Sequence, residues 1–226
     1  MEAVVAFDLD DTLYKEVDFV HSAFAAIAGE LECCGCDRNE VYETMRTAFD
    51  EGDNPINAVI EKFNQPFTEK ELVEIYRTHK PEISLSAGVP EMLSVLKSSG
   101  CDLALITDGR LITQNNKIEA LGLADYFPKR AVVISETTGC DKTAPDNFIM
   151  VQNTYGNAGI FFYVGDNPAK DFLQPNRLGW NTICLKDDGR NIHPQDIAAD
   201  KEALPHYTVK NVSDITQLII NLIKHN

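Results

Sequence analysis

Short runs of consecutive apolar residues recur along the chain, and segments with helical periodicity separate them. The runs predict strands at Ala3–Phe7, Leu103–Ile106, Ala131–Ile134, Ile160–Val164, Thr182–Leu185 and His206–Val209. Such runs are typical of strands that are buried on both faces of a parallel sheet. Helical patterns occur at Val89–Leu96, Ile112–Leu121, Ala144–Gln152, Ala169–Leu178 and Ile215–Ile223. This alternation predicts an α/β fold with a doubly wound parallel sheet, as in a Rossmann-like core.

One segment near the N-terminus breaks the alternation, because it contains no convincing strand and its apolar residues recur at helical spacing. Three of its helix starts carry capping signals, at Asp37–Glu40, at Asn54–Pro55 and at Thr68–Glu71. We therefore predict a small all-helical domain at residues 15–85. It is inserted into an α/β core that comprises residues 1–14 and 86–226.

The charge balance limits the classes of partner. The 226 residues include 20 basic and 35 acidic side chains, which gives a net charge of −15. This excess of negative charge argues against binding to nucleic acid or to an anionic membrane surface. The chain has neither an apolar run long enough to span a bilayer nor a basic stretch typical of a secretory signal, so a cytoplasmic location is expected. The sequence carries no signal for an oligomeric state.

The cysteines also fit a cytoplasmic protein. Six are present, and most are scattered along the chain. The local cluster Cys33-Cys34-Gly35-Cys36 has no partner Cys or His pair at zinc spacing. It is therefore predicted to be a loop with reduced thiols, in keeping with a reducing compartment.

Polar side chains gather just after the predicted strands. Asp8 and Asp10 follow the first strand, Thr107 and Asp108 end the second, and a lysine and two further aspartates follow later strands (Lys142, Asp166 and Asp171). Ligands of open α/β sheets bind at the carboxyl ends of the strands, so these side chains are expected to converge there. Asp8 and Asp10 point to the same face, because alternate residues of a strand do so.

A group of neighbouring carboxylates needs compensation. Two of them 4 Å apart repel by about 4 kcal/mol at an effective dielectric constant near 20. The group therefore requires a cation or raised pKa values. Because the candidate donors are oxygens, with no His or Cys beside them, Mg²⁺ is the first choice. A lysine, a hydroxyl and backbone N–H groups beside such a metal suit a phosphoryl group.

The same residues resemble the four motifs of the haloacid dehalogenase-like hydrolases, in the family's order. The matching segments are Asp8-Leu9-Asp10-Asp11-Thr12, Leu105-Ile106-Thr107-Asp108, Lys142 with Pro145-Asp146-Asn147-Phe148, and Gly165-Asp166 with Asp171. The helical segment at residues 15–85 resembles the family's cap domain. Two positions depart from the pattern: Thr143, where the family often has proline, and Pro175, which lies in a predicted helix.

The resemblance implies a Mg²⁺-dependent phosphomonoester hydrolase that acts on a small soluble phosphorylated metabolite through an aspartyl-phosphate intermediate. Asp8 would be the nucleophile. Asp10 would protonate the leaving oxygen and then deprotonate water, a role that calls for a raised pKa of Asp10.

The resemblance also implies the binding residues. Thr107 and Lys142 would bind the phosphoryl group, with Asp108 as a further candidate. Mg²⁺ would lie on the side chains of Asp8 and Asp166 and on the backbone carbonyl of Asp10. Asp171 would be a ligand through water or would hold the ligands in place.

Three alternatives use the same framework. A phosphomutase shares the nucleophile and returns the phosphoryl group to the substrate, and the sequence does not separate it cleanly from a hydrolase. A dehalogenase needs neither Mg²⁺ nor a second acid, so the presence of Asp10, Asp166 and Asp171 argues against it. A non-catalytic module that binds phosphorylated ligands usually lacks one of these residues, whereas here every expected position is filled. The sequence does not name the substrate.

Overall fold

The computed structural model describes residues 3–156, 158–195 and 200–225. Within them, one sheet is formed by β1 (Ala3–Phe7), β2 (Cys101–Thr107), β3 (Val132–Ile134), β4 (Ile160–Gly165), β5 (Asn181–Leu185) and β6 (Tyr207–Val209). All neighbouring strands are parallel, and the spatial order is β3-β2-β1-β4-β5-β6. The predicted doubly wound α/β fold is therefore confirmed.

Helices connect the strands. Between β1 and β2 lie α1 (Glu16–Glu32), α2 (Arg38–Asp50), α3 (Pro55–Lys62), α4 (Glu69–Thr78) and α5 (Val89–Ser98). The later helices are α6 (Leu111–Ala120), α7 (Ser135–Thr138), α8 (Asp146–Thr154), α9 (Leu173–Arg177) and α10 (Val212–His225). The predicted caps of α3 and α4 are confirmed, because Asn54 accepts hydrogen bonds from two backbone N–H groups and Thr68 and Glu71 form a reciprocal capping box.

The hydrophobic core lies on both faces of the sheet. On β1, Val5 packs with α5 and α10, whereas Val4 packs with α8 and Trp180 on the opposite face. Every residue of β1 is buried, which explains why its sequence is continuously apolar. Helices α1–α4 enclose a further cluster around Phe24 and Ile27. The helical segment thus has a core of its own beside the carboxyl ends of the strands.

Two helix predictions differ from the structure. The helix predicted at Ala169–Leu178 begins only at Leu173. A helix from Ala169 would place Pro175 in its interior, where proline has no N–H to donate to the carbonyl of Asp171. In the first turn of a helix the N–H groups have no partner within the helix, so proline costs nothing there. Helix α10 begins at Val212, before the predicted Ile215, and Asp214 accepts a hydrogen bond from the N–H of Asn211.

The cysteines near the end of α1 and the lengths of the helices were also considered in the sequence analysis. Cys33, Cys34 and Cys36 follow α1 as free thiols, as predicted. Over the described ranges, no helix is both long enough and apolar enough to cross a membrane.

Candidate active site

The sheet places the predicted polar residues next to one another. Because β1 lies between β2 and β4, Asp8 is flanked by the carboxyl ends of the strands that lead into Thr107 and Asp166. The strand order reverses between β1 and β4, and such a reversal is where α/β sheets form their ligand crevice. The loop before α8 adds Lys142 to the same place.

Lys142 is the charged centre of this site. Its ammonium Nζ lies 2.8 Å from Oδ1 of Asp8 and 2.7 Å from Oδ1 of Asp171. Its side chain is only 4% exposed. Burial would lower the pKa of Lys142, but the charges of Asp171 and Asp8 raise it well above the ordinary value. The lysine is therefore held in its cationic form.

Three carboxyl groups lie close together beside Lys142. Oxygens of Asp8, Asp166 and Asp171 all lie within 4.8 Å of one another. Burial and the neighbouring negative charges raise the pKa of Asp8 to about 8 and that of Asp166 to about 9, although Lys142 opposes both shifts. The raised pKa values indicate that Lys142 does not offset the repulsion among these carboxyl groups, and an all-oxygen donor set suits a hard divalent cation.

Asp171 holds the loop after β4 in place. Its Oδ2 accepts hydrogen bonds from the backbone N–H groups of Asp166 and Asn167, at 3.1 and 2.8 Å. Its Oδ1 faces Lys142 and the hydroxyl of Tyr163. A Cβ at Gly165 would lie 2.4 Å from Oδ2, so only glycine permits this approach. With both oxygens engaged by the protein, Asp171 leaves Asp8 and Asp166 as the carboxylates better placed to bind a cation.

Thr107 and Asp108 lie at the carboxyl end of β2, beside the site. Thr107 is fully buried, and its Oγ1 accepts a hydrogen bond of 2.5 Å from Nε2 of Gln114. Asp108 accepts a bond from the backbone N–H of Lys142 through Oδ1 (3.1 Å), whereas its buried Oδ2 has no partner within the described part of the chain. Burial raises the pKa of Asp108. An unpaired buried oxygen of this kind is typical of a ligand site.

The surroundings of Asp10 differ from the expectation. Its Oδ1 lies 2.6 Å from Nζ of Lys117 and accepts a hydrogen bond from the hydroxyl of Tyr14, and its Oδ2 accepts one of 3.0 Å from Nε2 of Gln114. Burial raises the pKa of Asp10, but the charge and the hydrogen bonds of these three residues outweigh it and lower the pKa below its ordinary value. The expectation of a raised pKa was therefore wrong for this arrangement.

Gln114 and Lys117 were missed by the sequence interpretation. Both lie on α6, three residues apart and thus on one helix face, and both are buried. The sequence offers a weak signal, because they precede the apolar Leu121 along the same face in a helix that follows Thr107 directly. This signal is too weak to separate them from solvated polar residues, and only the fold shows where they point.

The loop after β5 also contributes to the site, which the sequence did not indicate. The segment Lys186–Pro205 is predicted to be a surface loop, and residues 196–199 lie outside the described residues. Yet Asn191 donates a 2.8 Å hydrogen bond to Oδ2 of Asp166, and Gln195 donates one of 2.7 Å to its backbone carbonyl. Ile192 packs against the core of α1–α4. Residues 187–195 form this part of the loop, the β5 loop. It contacts both the acidic cluster and the helical segment.

The site encloses a small polar cavity of about 90 Å³. Its lining comprises Asp8, Asp10, Asp11, Glu16, Asp108, Lys142, Asp166, Asn167, Lys170 and His193. Glu16 belongs to the first turn of α1, and His193 belongs to the β5 loop. The helical segment and the β5 loop thus complete the walls of a cavity whose floor is the sheet edge.

Comparison with known proteins agrees with this architecture. Residues 5–185 match the family model described as haloacid dehalogenase-like hydrolase. The chain is 26% identical over 235 residues to a glyceraldehyde 3-phosphate phosphatase from Methanocaldococcus jannaschii, with coverage of 97% of this chain and 98% of that protein. It is 25% identical over 241 residues to a ribulose-1,5-bisphosphate 5-phosphatase from Halopiger xanaduensis, with coverage of 97% and 100%.

A solved structure shares the fold. The HAD-hydrolase YfnB from Bacillus subtilis, bound to magnesium, superposes with a TM-score of 0.68 at 19% identity, over 96% of this chain and 98% of that one. The resemblance read from the four motifs is confirmed, because the family model spans most of the chain and the observed fold agrees with it. The protein is an enzyme that belongs to the haloacid dehalogenase-like hydrolases.

Proposed function

We propose that this protein is a Mg²⁺-dependent phosphomonoesterase that acts on a small phosphorylated metabolite. The observation that carries the proposal is the contact of Asp8 with Lys142 beside the carboxylate of Asp166, inside a cavity of about 90 Å³. An ammonium and a hard cation together can neutralise a phosphoryl group in a protein whose net charge is −15. The names of the two curated relatives support the choice of phosphorus over other substrates.

Asp8 is the proposed nucleophile. Its carboxylate oxygen forms a bond to phosphorus while the bond from phosphorus to the leaving oxygen breaks, and an aspartyl-phosphate results. Asp10 gives its proton to the leaving oxygen. In the second step a water oxygen attacks phosphorus, Asp10 takes the proton of that water, and the bond between Asp8 and phosphorus breaks. The products are the alcohol, inorganic phosphate and the free Asp8 carboxylate.

The remaining residues bind and orient the phosphoryl group. Lys142 lies against Asp8, where it can bind an equatorial phosphoryl oxygen. Asp108 lines the same cavity, and the buried Thr107 precedes it at the end of β2. Mg²⁺ would be held by the side chains of Asp8 and Asp166 and by the backbone carbonyl of Asp10. When bound, the metal supplies charge neutralisation and orientation of the phosphoryl group.

The lowered pKa of Asp10 is compatible with its proposed role once substrate is present. The phosphoryl group brings negative charge next to Asp10, and a like charge raises the pKa of a carboxyl group. Asp10 can therefore gain the proton that it later donates. Without substrate, the charge of Lys117 and the hydrogen bonds of Lys117, Tyr14 and Gln114 favour the ionised form of Asp10 by lowering its pKa.

We further propose that residues 15–85 act as a cap over a core of residues 1–14 and 86–226. Glu16 of α1 lines the cavity, and Ile192 of the β5 loop packs against the helical cluster. A cap in this position would exclude water and restrict the substrates that enter. The small volume of the cavity favours small leaving groups.

The direct test is a phosphate-release assay over a panel of phosphorylated metabolites, with Mg²⁺ present. We expect sustained turnover of at least one small sugar or acid phosphate without a bisphosphate activator. Activity that depended on such an activator would favour a phosphomutase instead. Absence of phosphate release across the panel would contradict the proposal.

Replacement of Asp10 by asparagine tests the general acid. General acid catalysis is worth about 10²- to 10⁴-fold, and a poor leaving group needs it most. We therefore expect Asp10→Asn to slow the hydrolysis of an alkyl phosphate by about 10²-fold or more and that of 4-nitrophenyl phosphate much less. The measurement is kcat/KM for both substrates, and equal losses for the two would argue against the role.

Replacement of Asn191 by alanine tests the contact of the β5 loop with Asp166. Partners of metal ligands typically change metal affinity by about 10- to 100-fold. We expect the Asn191→Ala variant to need about tenfold more Mg²⁺ to reach the same rise in Tm. The exposed Asn153 on α8 offers a matched control, Asn153→Ala. An unchanged Mg²⁺ titration of the Asn191 variant would show that the β5 loop does not support the metal ligand.

A further inference from the structure

We propose that Lys117 is a positioning residue that holds the carboxylate of Asp10 in the orientation that its proton transfers require. The inference rests on the proposed phosphatase function and goes beyond it, since none of the four family motifs includes this lysine. Gln114 and Tyr14 complete the same arrangement. The arrangement links the acid to the helical segment above it.

Hydrogen bonds from three residues fix the orientation of the Asp10 carboxylate. Nζ of Lys117 lies 2.6 Å from Oδ1, and the hydroxyl of Tyr14 donates to the same oxygen. Nε2 of Gln114 lies 3.0 Å from Oδ2 and also 2.5 Å from Oγ1 of Thr107. Because the donors engage both oxygens, the plane of the carboxylate is defined as well as its position. Through Gln114, this orientation is tied to Thr107, a proposed phosphoryl-binding residue.

Stability alone does not account for a lysine at this position. The side chain of Lys117 is 3% exposed, and Asp10 is 18% exposed. A buried ion pair gains little over apolar residues of similar size, because both charges must leave water. A buried lysine that contacts a catalytic carboxylate is therefore better explained by what it does to that carboxylate.

The helical segment contributes to the surroundings of the ammonium. Nζ of Lys117 lies 4.3 Å from the ring centre of Phe19 and 4.0 Å from Oε1 of Glu16, both on α1. Aromatic faces attract cations at such distances. If α1 moved away from the sheet edge, Lys117 would lose these two partners and keep Asp10. The position of the helical segment therefore influences how Lys117 is held.

Helix α6 is itself attached to the helical segment. Oγ1 of Thr113 donates to the carbonyl of Arg77 at 2.9 Å, and Nδ2 of Asn116 donates to the carbonyl of Thr78 at 2.9 Å. Both carbonyls lie at the end of α4. One helix thus carries residues that contact the cap next to residues that orient Asp10.

The test compares Lys117→Met with Lys117→Arg, using kcat/KM for an alkyl phosphate and for 4-nitrophenyl phosphate. We expect Lys117→Met to lower the rate with the alkyl phosphate about tenfold more than the rate with 4-nitrophenyl phosphate. The arginine variant should recover part of this difference, because it retains a cation. Lys97→Met is the matched control, since Lys97 is an exposed lysine on α5 whose Nζ donates to the carbonyl of Asp125, away from the site.

Two further measurements keep the test decisive. A crystal structure of the Lys117→Met variant should show the Asp10 carboxylate turned away from α6. Should that variant fail to fold, Tyr14→Phe removes one donor to the same oxygen without leaving a charge unpaired, and it should shift the same ratio about threefold. Equal losses with both substrates, or an unmoved Asp10, would overturn the role of Lys117. Wild-type protein that released phosphate neither from these two substrates nor from any member of the metabolite panel would overturn the proposed function and the role of Lys117 with it.

Discussion

Replacement of Asp8 by asparagine is expected to lower phosphate release by about 10⁴-fold or more, in line with the loss of a catalytic nucleophile elsewhere. The amide has nearly the shape of the carboxylate but cannot form the bond to phosphorus. Because burial raises the pKa of Asp8 to about 8, a neutral side chain is tolerated at this position. We therefore expect Tm to change by only a few degrees. The assay is steady-state phosphate release, with Tm measured on the same samples.

A matched control exists on the neighbouring strand. Asp102 on β2 is exposed, and Asp102→Asn should retain wild-type activity. Activity of the Asp8→Asn variant within tenfold of the wild type would show that Asp8 is not the nucleophile, because the asparagine amide cannot form the bond to phosphorus. A stable variant without activity, beside an active control, would support the proposed mechanism.

Removal of divalent cations should have an effect of similar size. A bound metal stabilises the transition state of phosphoryl transfer by several kcal/mol, which corresponds to about 10³-fold or more in rate. EDTA should therefore silence the enzyme, and excess Mg²⁺ should restore it. Undiminished turnover in EDTA would overturn the metal assignment.

Thermal unfolding gives a reading that does not depend on activity. A ligand at 100 times its Kd stabilises the folded state by about 2.7 kcal/mol, which raises Tm by several degrees in a protein of this size. Mg²⁺ should raise Tm of the wild type and of Asp102→Asn. It should have little effect on Asp166→Asn, because that variant lacks one of the two proposed ligand side chains.

The sheet was readable from the sequence because burial on both faces leaves a continuous apolar run. Strand β1 matches its prediction at both ends, and β4 and β5 match within one residue. The caps of α3 and α4 were readable for a similar reason, since they depend on residues close together in the chain. The start of α9 was misplaced although Pro175 gives a local reason for it, because the turn from Asn167 to Asp171 that precedes the helix is also held by contacts of Asp171 with the rest of the site.

For the site, too, the sequence was sufficient for some predictions and not for others. The convergence of Asp8, Thr107, Lys142 and Asp166 follows from a general rule about the carboxyl ends of parallel strands, so positions in the sequence were enough to predict it. The catalytic, phosphoryl-binding and metal-binding roles of these residues stay predictions. The division into residues 15–85 and the surrounding core also stays a prediction.

What the sequence determined by itself is the family, the parallel sheet and the residues at its carboxyl edge, because each of these follows from local patterns of burial and from motifs of adjacent residues. Only the tertiary structure decided how Asp10 is held and which residues support Asp166. Lys117 is 107 residues from Asp10 along the chain, and Asn191 is 25 residues from Asp166. Contacts between residues so far apart depend on how helices and loops pack, and the pKa of a buried carboxyl group depends on every charge that this packing brings near it.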